Sequence, residues 1–188
     1  LKARGELVNY YPEYRRPNHR KGMGDMASIK ELTNRMNSGA IDALVILGVN
    51  AAYSAPADLK FADALKKVKE VIYLADQADE TSQALKGVKG AIIVPRAHSF
   101  EAWGDLVAID GQTSIQQPLI APLHGGVSEI ELLAQLVGDE RKGYKVVRDA
   151  WKSETGAVGF HKRWRRWLHA GVLENATFIA SGAAARGL

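Results

Sequence analysis

The stretch 41–56, IDALVILGVNAAYSAP, restricts the possible folds more than any other part of the chain. Residues 43–47 are apolar without interruption, as a sheet strand covered on both faces would be. Gly48 breaks the run, a short polar loop follows, and Pro56 suits the first position of a helix. Phe61, Leu65 and Val68 then recur at i, i+4 and i+7, which predicts a helix over 57–68; a second apolar strand over 71–74 follows. Upstream, SIKELTNRMNSG predicts another helix. Ser28 and Glu31 have capping-box spacing, Ile29, Leu32 and Met36 make an apolar face, and Gly39 closes it. Helix, strand, helix, strand implies a right-handed parallel βαβ unit and hence the α/β class. A short helix after Glu80 and a third strand, AIIVP at 91–95, extend the sheet.

The rest of the chain divides around this core. Residues 1–27 read as an irregular basic N-terminal arm broken by Pro12, Pro17, Gly22 and Gly24, with GELVNYY at 5–11 as a short candidate strand. Residues 28–95 are the α/β core. Residues 96–127 hold Gly104, Gly111, Pro118, Pro122, Gly125 and Gly126 without sustained periodicity, which predicts an extended crossover that wraps a surface or passes to another domain. Residues 128–188 form a helical C-terminal part. It opens with SEIELLAQLVG, where Ser128 and Glu131 make a second capping box and Gly138 ends the turn; helical patterns over 144–153 and 160–170 follow, the last stopped by Gly171.

Composition narrows the function classes. The 188 residues contain no cysteine, so the segment itself supplies no disulfide, thiolate metal site or iron–sulfur ligand. The excess of 25 Lys and Arg over 21 Asp and Glu is too small to argue for nucleic acid unless the charge is clustered. No apolar run approaches the ~18 residues of a membrane span, and no targeting segment opens the chain. The chain begins at Leu1 in mid-pattern, which reads as a fragment of a longer protein.

Gly48, Val49 and Asn50 form the first candidate site. A strand end, a glycine turn and a helix start together present backbone N–H groups to a ligand, and Asn50 both donates and accepts. A glycine-punctuated strand end in any parallel sheet is the equal alternative. Asp76, Asp79, Glu80 and Thr81 follow the next strand, where an acid could bind a ribose hydroxyl; capping of the next helix explains the same residues and is preferred. His98, Glu101, Trp103 and Asp105 lack a third ligand at metal spacing and read as structural. His124-Gly125-Gly126 reads as a flexible approach to a helix N-cap rather than an anion cradle. In the last helix Phe160, Trp164, Trp167 and Leu168 share one face, and His161, Lys162, Arg163, Arg165 and Arg166 cover the rest. A core-facing tryptophan stripe is preferred there over an interfacial membrane helix or an RNA-binding patch with aromatic stacking. No Ser–His–Asp, Cys–His, P-loop or HExxH pattern is present, so no catalytic residue is assigned.

The segment SGAIDALVILGVNAAYSAPADLKFADALKKV, followed by YLADQADETS, VPRAHSFEAWGD and DGQTSIQQPLIAPLHGGVSEIELLAQL, resembles the molybdopterin oxidoreductase superfamily. Within it the likeness is greatest to the large iron–sulfur subunit of alternative complex III, a quinol:electron-acceptor oxidoreductase, over most of residues 28–137. The resemblance implies a Rossmann-like three-layer parallel-sheet lobe of the formate dehydrogenase and dimethyl sulfoxide reductase type. It implies iron–sulfur clusters elsewhere in the parent, and in cofactor-bearing relatives a molybdopterin guanine dinucleotide whose nucleotide end is held by a Gly-x-Asn-Pro loop. That loop maps onto Gly48, Val49 and Asn50, with Ala51 where Pro is usual; the acidic and Thr positions map onto Asp76, Glu80 and Thr81. In alternative complex III this half is thought to carry no molybdenum cofactor. The expected partners are the other domains of the parent chain and membrane quinol-binding and cytochrome subunits, not nucleic acid, on the periplasmic side of the cytoplasmic membrane. The resulting expectation is a structural and interaction domain of a respiratory electron-transfer subunit, with no cofactor bound in this fragment. The alternatives are a nucleotide-contacting domain of an active molybdopterin oxidoreductase and an RNA-binding module built on the Arg/Trp helix.

Overall fold

The structure, a computed structural model, describes residues 25–108 and 110–173. The candidate strand at 5–11 lies outside them. The described residues fall into two compact units: a sheet unit, 25–102 with Pro118–Gly143, and an aromatic unit, Trp103–Gln117 with 144–173.

In the sheet unit, α1 (Asp25–Asn37) leads into β1 (Ala43–Leu47), α2 (Ala51–Ser54), α3 (Phe61–Leu65), β2 (Glu70–Ala75), α4 (Glu80–Ala84) and β3 (Ala91–Pro95). The strands are parallel in the order β1-β2-β3. Register places Leu44 beside Val71 and Ala91, and Ile46 beside Tyr73 and Ile93, on one face. Met36, Phe61, Ala64, Leu65, Val68 and Leu85 form a buried cluster with Ile46, Val71 and Tyr73 of that face. Each large side chain buried in this way contributes about 1.5–3 kcal/mol. Successive right-handed crossovers in an order without reversal deliver their helices to one side of the sheet. The other face carries Val45, Ile72 and Ile92 in register, and here the expectation of a strand covered on both faces fails: Val45 is 38% and Ile92 59% exposed.

Two helix boundaries also differ from the sequence reading. Ser28 is not an N-cap, because α1 already runs through it from Asp25; Met26 and Ala27 are good helix formers and extend the first turn. The single helix over 57–68 is instead a 3-10 turn, Ala57–Leu59, and α3, separated by Lys60 in the left-handed conformation (φ 49°). Ala55 is extended (ψ 147°), as the ring of the following proline demands, so α2 stops before Pro56. Phe61, Leu65 and Val68 nevertheless all reach the core. Later in this unit α5 (Glu129–Leu136) starts at the expected cap, with Ser128 Oγ accepting from Glu131 N.

In the aromatic unit β4 (Gly104–Val107) and β5 (Thr113–Gln116) form an antiparallel hairpin. The expected crossover over 96–127 is therefore not structureless. Strands of four residues are too short for alternation to stand out from a loop rich in glycine. Val172 bridges Ser114, Ile115 N donates to Gly171 O (3.0 Å), and Leu173 N donates to Thr113 O (2.9 Å). The helix α6 (Gly143–Thr155), which lies in this unit from Tyr144 onward, and α7 (Phe160–Ala170) complete it. Phe160, Trp164 and Trp167 are buried with Val147, Ile115 and Leu173. The Phe160 and Trp164 rings stack at 5.8 Å, and Trp164 Nε1 donates to the Tyr144 hydroxyl at 3.2 Å. The tryptophan stripe is thus a core stripe.

Candidate functional site

The first residue past each parallel strand is Gly48 after β1, Asp76 after β2 and Arg96 after β3. Parallel pairing brings all three to one carboxyl edge, where α/β proteins place ligands. Gly48 lies in the left-handed region (φ 58°), and its N–H closes the strand pair on Leu74 O at 2.9 Å. The positive φ favours glycine, and a Cβ there would meet Arg96 Nη1 at 2.8 Å, so the guanidinium would have to shift to admit one. Arg96 Nη1 reaches the two Asp76 carboxylate oxygens at 3.1 and 3.2 Å, and Nη2 reaches Glu129 Oε1 at 3.1 Å. These partly exposed pairs are worth about 0–1 kcal/mol each, and their role is to set geometry.

Asn50 links this turn to the start of α4. Its amide nitrogen donates to Glu80 Oε2 at 2.6 Å. Its Oδ1 accepts from Thr81 Oγ1 at 2.8 Å, from Thr81 N at 3.3 Å and from Tyr53 N at 3.4 Å. Thr81 Oγ1 in turn accepts from Ala52 N at 2.9 Å, and Thr81 is fully buried. Asn50 is the N-cap of α2, so the helix after the loop begins here and not at Pro56. Val49 is exposed beside it.

Asp79 caps α4 by accepting from Ser82 N (2.8 Å) and Ser82 Oγ (2.9 Å), and it also accepts from the buried Tyr73 hydroxyl. Burial pushes the Asp79 carboxyl up, but the hydrogen bonds from Tyr73 and Ser82 together outweigh burial and hold it below the usual carboxylate range. Burial first, and then Asp79, push the Tyr73 phenol well above its ordinary value. Within DETS, Asp79 therefore caps while Glu80 and Thr81 bond to Asn50.

The structure brings together Gly48, Asn50, Glu80 and Thr81, with Asp76 joined through Arg96. Sequence reasoning missed Arg96, Tyr73 and Glu129. Arg96 had a readable signal, since it occupies the same strand-end position as Gly48 and Asp76; the Tyr73 hydroxyl had none, because its position reads only as an apolar strand residue. His98 and Glu101 form a reciprocal cap of a 3-10 turn, with Phe100 N donating to His98 Nδ1 and His98 N to Glu101 Oε2. Asp105 accepts instead from Trp151 Nε1 at 2.7 Å. Gly126 packs against the Arg96 and Ala97 backbone, where a Cβ would lie 2.8 Å from Ala97 N, so it serves the bridge between Arg96 and Val127. Among the described residues no group of three or more His, Cys, Asp or Glu could hold a metal ion, and no helix is long and apolar enough to cross a membrane. No protein-family model matches the chain, and no curated protein matches it.

Proposed function

We propose that this chain is a Rossmann-like interaction domain from a molybdopterin-oxidoreductase-like iron–sulfur subunit of a respiratory electron-transfer complex, with its cofactor loop kept as a structural lock. The observation that carries this reading is the bonding of Asn50. Both ends of its amide are used within the chain, by Glu80 on one side and by Thr81 and Tyr53 on the other. The Arg96 guanidinium fills the space against Gly48 that a close-approaching ligand would need. The side chains of Asn50, Glu80 and Thr81 bond to one another and Asp76 bonds to Arg96, so the side chains that would hold the nucleotide end of molybdopterin guanine dinucleotide are engaged within the chain as arranged, and no chemistry is routed through that group. Iron–sulfur chemistry, membrane quinol-binding and cytochrome partners, and a periplasmic location belong to the parent in this reading.

A second reading, a nucleotide-contacting domain of an active molybdopterin oxidoreductase, draws support from the gathering of Gly48, Asn50 and Asp76 at one carboxyl edge. Calorimetric titration of the chain with GDP separates the two. The lock reading expects no heat above buffer dilution; saturable heat that disappears in Asn50→Ala would replace it with the second reading. An RNA-binding module based on stacking finds little support, since Trp164 is 1% exposed and Trp167 is buried beside it.

A further inference from the structure

The two edges of the parallel sheet are finished differently. Along β3 the groups that point away from β2 are taken at both ends. Ala91 N donates to Val88 O at 3.0 Å, and Pro95, which has no N–H, accepts at its carbonyl from Val127 N at 2.9 Å. Along β1, Glu70 N donates to Asp42 O at 3.0 Å and Gly48 N donates to Leu74 O at 2.9 Å, so the even-numbered residues of this strand face β2. Alternation turns the N–H and C=O groups of Ala43, Val45 and Leu47 the other way. Among the described residues no strand pairs with that side of β1, and no turn or cap bond reaches those three residues. Ala43 and Val45 are exposed. Proteins blunt an unused edge with lysine, proline, a bulge or a covering loop. β1 reads ALVIL in unbroken register with β2, so it carries no charge, proline or bulge. Such an edge is open to a further strand.

We propose that β1 pairs with β1 of a second copy of this chain, antiparallel about a two-fold axis at Val45. Backbone donors and acceptors at every second residue are matched by another strand. Closed two-fold contacts are the commonest way for like chains to associate, and an axis across the strands makes them antiparallel. The edge is complementary to itself. With Val45 opposite Val45, Ala43 meets Leu47, and only apolar side chains face one another. Asp42, the first charge before the strand, falls opposite Gly48 of the second copy and is already paired with Lys69 at 2.7 Å. Ala43, Val45 and Leu47 of the two copies then exchange about six hydrogen bonds across the axis. Strands of five residues bury little surface, so the pair belongs to the weak end of protein association. The bonding of Asn50 plays no part in it.

The test is sedimentation velocity on the full chain from about 5 to about 500 µM. The mass rises with concentration toward twice that of the single chain; a monomer throughout overturns the proposal. Val45→Lys and Val45→Asp each weaken association at least about tenfold, because like charges then stand directly opposite one another. An equimolar mixture of the two variants restores it, and a mixture that stays monomeric overturns the two-fold register. Ile92→Lys, on the same open face but two strands from the edge, leaves association unchanged. Loss of the dimer in Ile92→Lys with its retention in Val45→Lys moves the contact to the sheet face and overturns edge pairing. Far-UV circular dichroism checks each fold. Hydrogen exchange on the unmodified chain gives a readout free of substitution: the Ala43, Val45 and Leu47 amides slow as concentration rises, while those of Leu44 and Ile46 are protected throughout. Exchange at Val45 that is independent of concentration overturns the proposal even where a variant fails to fold.

Discussion

The two units are stabilised by different means. The sheet unit is mainly aliphatic inside, with Met36, Leu65, Val71 and Leu74 fully buried beside Phe61 and Tyr73, and its polar bonds gather at the carboxyl edge around Asn50 and Asp79. The aromatic unit buries Phe160, Trp164 and Trp167, and its strand β5 is joined to Val172 and Leu173 from the far end of the described chain. The first unit is built largely from neighbours in sequence and the second from distant segments. Local assembly leaves a pattern in the sequence, whereas distant assembly leaves only a composition.

Substitutions sharpen this contrast, beginning with the largest effect. Trp164→Ala removes the most buried ring of the aromatic unit and is expected to cost about 3–5 kcal/mol, with hydrogen exchange rising in β4, β5 and α7. Unchanged protection in those elements would mean that the rings do not hold the unit. Asn50→Ala deprives the buried Thr81 N–H and hydroxyl of their shared acceptor and is expected to cost about 1–3 kcal/mol in urea denaturation. A loss under about 0.5 kcal/mol would show that the network is ornamental and would weaken the lock reading.

Tyr73→Phe follows at about 1 kcal/mol, with a signature in pH. The depressed Asp79 carboxyl contributes stability that is complete above its unfolded pKa of about 3.9 and is lost as pH falls through the lower folded value. The raised Tyr73 phenol contributes stability that is complete below its unfolded pKa of about 10 and is lost as pH rises toward the higher folded value. Removing the hydroxyl abolishes the alkaline loss and moves the acid loss to higher pH, because Asp79 is no longer helped by that donor. Stability curves that superimpose on the parent at both ends would remove the pair from the account. The smallest effect belongs to the open sheet face: Val45→Thr and Ile92→Thr should each change stability by no more than about 0.5 kcal/mol, against several times that for Val71→Thr on the covered face.

Periodicity located β1, β3 and α7 at their observed bounds, because an unbroken apolar run or a full helical stripe has few other solutions. The caps at Ser128 and Asp79 were readable because a hydrogen bond across three residues is local chemistry. Gly48, Asn50, Asp76, Glu80 and Thr81 were legible as strand-end residues, but their mutual bonding was not. That Asn50 spends its amide on Glu80 and Thr81 depends on how two loops from adjacent strands approach each other. The break at Lys60 escaped for a related reason: its left-handed backbone carries no residue signature, and Phe61, Leu65 and Val68 reach the core whether or not the helix between them is continuous.

The sequence alone therefore determined the α/β class and most elements, though not the hairpin of β4 and β5 or the break at Lys60, since hydrophobic spacing, glycine stops and caps act within a few residues. Tertiary structure decided which face of the sheet is covered and that Arg96 lies against Gly48. Those outcomes follow from packing between segments far apart in the chain, where burial and hydrogen-bond satisfaction are settled by partners that no local pattern names.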